Sequence, residues 1–168
     1  MKKIVLIGFA TGFKSSVGQC LADKFNAKFV DTDVEIERSL GLSVQQIFDT
    51  HGEKYFRQKE NELLLSLASK QDVVVACGGG SVTVEGFSQF AKDSVVVWLK
   101  VTASTVKSRL GGTPRPLFDG LDEQQLQHYI DVRSPLYERY ADVTISTDDL
   151  APMQIAEILC NKLSENNL

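Results

Sequence analysis

The sequence predicts an α/β protein, a mostly parallel sheet with helices on both faces. Three observations carry that reading. Short runs at residues 4–7 and 73–77, and a third at 94–101 that is apolar apart from Ser94 and Lys100, are hydrophobic without alternation, as strands covered on both faces are, rather than alternating as half-exposed strands do. Between them apolar residues recur at the spacing of one helix face, so strand and helix alternate along the chain. The first run breaks into a glycine-bearing turn that passes straight into a helical pattern, the usual opening of a nucleotide-binding α/β unit.

Length and composition narrow the class. At 168 residues the chain fits one domain, and with 43% hydrophobic and 24% charged residues it can bury a sizeable core. No apolar run approaches the roughly 20 residues needed to span a bilayer, and the short run after Lys2 and Lys3 makes a poor signal peptide. A cytoplasmic protein without a membrane partner is therefore expected. The net charge of -4 argues against a general nucleic-acid binder, which needs a basic surface to displace counterions. Cys20, Cys77 and Cys160 are odd in number and widely spaced, and read as reduced thiols packed like small apolar residues.

Taken in order, residues 4–7 form a buried strand ended by Gly8. Val17, Cys20, Leu21 and Phe25 share a face of a helix that opens near Lys14 and Ser15. Its first turn offers unpaired N–H groups and a positive dipole end to an anion. The loop departs from the GxxxxGK[ST] pattern, in which amides cradle phosphates, lysine reaches the terminal phosphates and the hydroxyl binds Mg2+. Position 13 carries Phe13 instead of glycine, and the glycine falls one place early, at Gly12. Lys14 and Ser15 keep their places, and Phe13 still supplies its N–H. Glycine is favoured where the backbone is strained, so Phe13→Gly is expected to keep or raise activity.

A second strand, residues 28–30, ends in Asp31 and Asp33, which flank Thr32 where strand meets helix. In an open α/β sheet ligands bind at the C-terminal strand ends, whereas Asp31 or Thr32 could equally cap the helix. Two helical segments follow, separated near His51 and Gly52, with Arg57 and Glu60 on a shared face. The strand at 73–77 ends in Gly78, Gly79 and Gly80, more glycines than a tight turn needs, which suggests a close approach to the backbone. A short helix, the strand with Trp98 in the core, and a helix over residues 102–110 come next. The Gly- and Pro-rich segment after it carries Arg115 and reads as a lid, placed at about residues 111–121, whose cation could face a phosphate site. Residues 123–140 are helical, with Pro135 expected to kink or divide the helix. A last strand, DVTIST, and an amphipathic helix from Pro152 close the chain.

Six segments now stand in one order: GFATGFKSS, VDTD, GEKYFRQKE, VVVACGGG, PRPLF and RSPLYERYAD. Together they resemble shikimate kinase, a small P-loop kinase of the nucleoside-monophosphate-kinase type, over nearly the whole chain. The resemblance implies a three-layer α/β/α fold with a five-stranded parallel sheet and a mobile lid. It implies transfer of the γ-phosphoryl group of ATP to the 3-hydroxyl of shikimate, in aromatic amino-acid biosynthesis, by a monomeric enzyme using Mg2+.

Residue by residue, the resemblance makes Lys14 the holder of the β- and γ-phosphates, within a nucleotide loop of Thr11, Gly12, Phe13, Lys14, Ser15 and Ser16. Ser15 would be the Mg2+ ligand, with Asp31 reaching the metal through water. Asp33 would bind the substrate hydroxyls and act as base. Arg57, oriented by Glu60, and Arg133 would grip the carboxylate, which suits the planar fork of guanidinium. Gly79 and Gly80 would let the substrate lie against the backbone, Arg115 would reach the phosphates, and adenine would lie near Arg109, Leu150 and Pro152. Thr11 and Phe13 stand where the family has glycines, and Cys77 where it often has Thr. A catalytically inactive relative that only binds, or a P-loop kinase for another hydroxy acid such as gluconate, are the alternatives.

Overall fold

The computed structural model describes residues 1–110, 118 and 120–165. Five strands, β1 (Lys3–Ile7), β2 (Lys28–Asp31), β3 (Val73–Ala76), β4 (Ser94–Lys100) and β5 (Val143–Ser146), form one sheet in the order β2-β3-β1-β4-β5. Every neighbouring pair is parallel, with Ile4 of β1 registered against Val74 on one side and Val95 on the other. The chain leaves β1 first toward β2 and β3 and later toward β4 and β5. This reversal places a crevice at the C-terminal end of β1.

The alternation along β1 explains the layers. Ile4 and Leu6 pack on one face with Val17 and Leu21 of α1 (Lys14–Phe25) and Ile155 and Leu159 of α7 (Pro152–Glu165). Val5 and Ile7 pack on the other. They meet Leu64 of α3 (Val44–Leu67), Phe87 and Phe90 of α4 (Phe87–Ala91) and Tyr137 of α6 (Glu123–Tyr140). Trp98 belongs to this second layer and is buried, as expected of a core residue. The three-layer α/β/α arrangement and the five-stranded parallel sheet therefore match the expectation.

Two satellite clusters flank the crevice. Ile36 of α2 (Thr32–Leu40) packs with Ile47 and Phe56 of α3. Val106 of α5 (Ala103–Leu110) packs with Phe9, Phe118, Leu126 and Ile130. Ser43 with Gln46, and Asp122 with Gln125, make reciprocal capping boxes that start α3 and α6. The predicted break near His51 is a single non-helical residue inside α3, Gly52 at φ 81°. α6 is not divided at Pro135, one of the two outcomes expected there: the helix runs through the proline, and Ile130 and Tyr137, on either side of it, are both anchored in buried clusters. Among the described residues, no helix is long and apolar enough to cross a membrane. Of the expected lid, residues 111–117 and 119, with Arg115, lie outside the described residues.

Candidate active site

The phosphate loop is built by contact with β4. At Gly8 (φ 140°) a Cβ would stand 2.4 Å from the carbonyl oxygen of Leu99, closer than any real side chain comes. Gly12 is pressed against the same oxygen, where a Cβ would come to 3.2 Å, and against the Phe9 carbonyl at 3.3 Å. The glycine that falls one place early in the sequence is thus one whose side chain would crowd these two carbonyls. Thr11 (φ 60°) and Phe13 (φ 61°) occupy the left-handed region, where glycine is favoured. Phe13 is also the N-cap of α1: its carbonyl accepts from the Val17 N–H at 2.8 Å, while its side chain caps nothing. The first turn of α1, carrying Lys14, Ser15 and Ser16, therefore presents its amides without a side-chain cap. Lys14 Nζ donates to the carbonyls of Gly8 (2.9 Å) and Phe9 (2.7 Å), holding the ammonium inside the loop.

Arg109, in the last turn of α5, ties this loop to the end of β5. Its Nη1 donates to the Thr11 carbonyl (3.0 Å) and to Thr147 Oγ1 (3.1 Å). Its Nη2 donates to the carbonyls of Thr147 and Asp148. Leu150 and Pro152 lie in the segment that continues from there into α7, with Leu150 half-buried against the core. Arg109 and this segment are thereby brought beside the phosphate loop.

At the neighbouring strand end, Ser15 Oγ donates to Asp31 Oδ2 at 2.5 Å. The other oxygen of Asp31 accepts from the N–H groups of Asp33 (3.1 Å) and Val34 (3.4 Å). Asp31 is therefore both a helix cap and a partner of Ser15, so the two readings of this residue are compatible. One hydroxyl and one carboxylate side by side fit Mg2+, which takes few protein ligands and fills its shell with water and phosphate oxygens.

Beyond Asp31 lies a pocket of opposed charges. Glu60 is fully buried; one oxygen accepts from Arg57 Nη1 at 2.6 Å and the other from the Ser81 hydroxyl. Arg57 also reaches Glu53, at 3.2 Å from Nη2. Asp33 faces the same space, its Oδ1 buried and without a hydrogen-bond partner. Burial first, then the charges of Glu60 and Asp31, push its carboxyl up from 3.8 to about 6, against the pull of Lys14 and Arg57.

The three glycines after β3 each face a charged group of this pocket. A Cβ on Gly78 would come 2.6 Å from Asp33 Oδ1 and 2.9 Å from Glu60 Oε1. On Gly79 it would lie 3.5 Å from Arg133 Nη1, and on Gly80 only 2.3 Å from Arg57 Nη2. The loop is bare at Gly78 and Gly80 because the site's own charges occupy the space side chains would take. Its backbone is pinned as well: Gly78 N–H donates to Thr32 Oγ1 at 2.9 Å, and the Tyr137 hydroxyl donates to the Gly79 carbonyl at 2.6 Å. Burial raises the Tyr137 hydroxyl to about 12, so it stays protonated as a donor.

Asp33, Arg57, Gly79, Gly80 and Arg133 are thus gathered round one pocket, and Lys14, Ser15 and Asp31 at the loop beside it. Ser81, Tyr137 and Thr147 were given no role by sequence reasoning. Tyr137 stands four residues after Arg133 on the same helix face, a spacing that could have flagged it; Ser81 and Thr147 offer no signal beyond their place after a strand.

A phosphate loop at the end of β1 in a parallel sheet of order 2-3-1-4-5, with a basic and carboxylate-lined pocket at the ends of β2 and β3, defines a P-loop small-molecule kinase. The family model for shikimate kinase matches residues 11–164. Shikimate kinase 1 of Yersinia enterocolitica is 38% identical over 172 residues, covering 98% of each chain. The chain belongs to the shikimate kinase family, ATP-dependent kinases that phosphorylate shikimate. The structure of the Acinetobacter baumannii shikimate kinase in complex with shikimate superposes with a TM-score of 0.93 at 32% identity, covering 100% of this chain and 96% of that one. The Aquifex aeolicus shikimate kinase gives 0.82 at 29% identity, covering 99% and 98%.

Proposed function

We propose that this chain transfers the γ-phosphoryl group of ATP to the 3-hydroxyl of shikimate, giving shikimate 3-phosphate and ADP, as a monomer in the cytoplasm. The observation that supports it best is the glycine loop at residues 78–80, which touches a carboxylate base, Asp33, and two guanidinium groups, Arg57 and Arg133. Such a pocket matches a small acid bearing hydroxyls: arginine forks take the carboxylate and Asp33 takes a hydroxyl.

Each residue has a defined task. Arg57, fixed by Glu60, and Arg133 hold the carboxylate end and so set which hydroxyl faces the phosphate loop. Asp33 accepts the proton of that hydroxyl as it attacks; with its carboxyl near 6 it is ionised at neutral pH yet basic enough to assist. Lys14 and the amides of the first turn of α1 neutralise charge on the transferring group, the main contribution a protein makes to phosphoryl transfer. Ser15 would hold Mg2+, with Asp31 reaching it through water, and the ion would supply electrostatic stabilisation of the phosphates. Arg115 takes the role of a lid cation on the strength of the family resemblance.

The test is a coupled assay of ADP release with shikimate, shikimate methyl ester and gluconate as acceptors. Turnover with shikimate and its loss with the ester support the reading. Equal turnover with gluconate, or none with shikimate, would refute it.

A further inference from the structure

Phe13 is the residue of the phosphate loop that the pattern of such loops least explains. It holds a left-handed backbone at φ 61°, ψ 19°, a conformation that costs an ordinary residue about 1–2 kcal/mol and glycine almost nothing. A turn alone would be better served by glycine. The ring, however, has a partner: the guanidinium carbon of Arg109 lies 3.9 Å from its centroid, the closest cation–ring contact among the described residues. Both terminal nitrogens of Arg109 are meanwhile spent along the edge of the guanidinium, on Thr11, Thr147 and Asp148. The group is thus fixed in its plane by hydrogen bonds and backed on one face by a benzyl ring.

We infer that Phe13 is a positioning residue for the nucleotide base: it backs Arg109 so that the opposite guanidinium face forms a flat platform on which adenine stacks. This rests on the ATP-binding reading above and gives the phosphate loop a part in recognising the base as well as the phosphates. The favourable energy of a cation–ring contact is of the same order as the backbone strain, so an aromatic at this position is sustainable where a residue without a partner is not. Because the same side chain is joined through Arg109 to Thr147 and Asp148, the platform also couples the loop after β1 to the loop after β5.

Calorimetric titration of MgADP, MgCDP and shikimate into the wild type, Phe13→Leu and Phe13→Trp tests the inference. Leucine keeps the bulk and the strained backbone but lacks a π face, so Phe13→Leu should weaken MgADP about fivefold, the loss of roughly 1 kcal/mol of stacking support. Its shikimate affinity should be unchanged, and its preference for MgADP over MgCDP should narrow, because the larger purine gains most from the platform. Phe13→Trp should restore MgADP affinity. Unchanged MgADP affinity in Phe13→Leu, equal weakening of MgADP and shikimate, or failure of tryptophan to restore binding would each overturn it. A wild-type protein that binds no MgADP would instead refute the kinase reading itself.

Discussion

Gly80 and Arg57 exclude one another's side chains: a single carbon added to Gly80 would sit 2.3 Å from Nη2 and 2.5 Å from the central carbon of the guanidinium. The arginine cannot retreat easily, since Glu60 holds it at 2.6 Å and is itself fully buried. Gly80→Ala should therefore push Arg57 out of line with the carboxylate it is proposed to hold. We expect KM for shikimate to rise about tenfold or more, a loss of roughly 1.4 kcal/mol, with KM for ATP little changed. Steady-state kinetics with each substrate varied will separate the two; a rise confined to ATP would contradict the placement of Arg57.

Asp33 couples stability to activity through pH. Its carboxyl titrates near 6 in the folded protein against 3.8 ordinarily, so the folded state binds the extra proton and stability falls as pH rises between those values. The cost is complete above about pH 6. Asp33→Asn removes it, and should raise stability at pH 7 by about 2 to 3 kcal/mol while leaving stability near pH 3 unchanged. Urea unfolding at both pH values, with the expected loss of turnover in the same variant, checks this. A variant no more stable at pH 7 would remove the case for a destabilised base. In the wild type, kcat/KM should fall as pH drops below about 6.

Arg133 stands over the glycine loop near Gly79, and its removal should be felt by the acid alone. Arg133→Ala is expected to weaken shikimate by about 2 kcal/mol or more, near thirtyfold, with MgADP affinity preserved. Isothermal titration of both ligands decides it, and equal losses would count against a carboxylate role.

Tyr137 donates to the Gly79 carbonyl from a buried position. Tyr137→Phe leaves that carbonyl without its donor and should cost about 1–2 kcal/mol of stability, read by thermal unfolding. Because its hydroxyl is held up at about 12, the loss should be the same from pH 6 to pH 9. A loss that varied across that range would mean that the hydroxyl titrates within it.

The sheet and its order of elements were legible because buried parallel strands are apolar without interruption and the helices between them keep one apolar face. The charged residues of the pocket were legible through motif resemblance. The reason for the three glycines was not: that Gly78 and Gly80 yield space to Asp33, Glu60 and Arg57 depends on residues 18 to 45 positions away in sequence. The same holds at the phosphate loop, where Gly12 answers to the Leu99 carbonyl and Phe13 to Arg109. Read alone, Phe13 looks like an intrusion to be relieved by glycine; the contact with Arg109 adds an opposing effect that only the packed chain reveals. Pro135 is the converse case, where a local signal that could divide a helix does not do so, with buried anchors on both sides.

If Arg57, Arg133 and Asp33 act as proposed, together they present one particular hydroxyl to the phosphate loop. The most direct test is the regiochemistry of the product: incubation with ATP, Mg2+ and shikimate, followed by phosphorus–proton correlation NMR. A single phosphorylated product with phosphorus coupled to the proton at carbon 3 is expected; coupling to another position, or ADP formed without phosphorylated shikimate, would refute this placement.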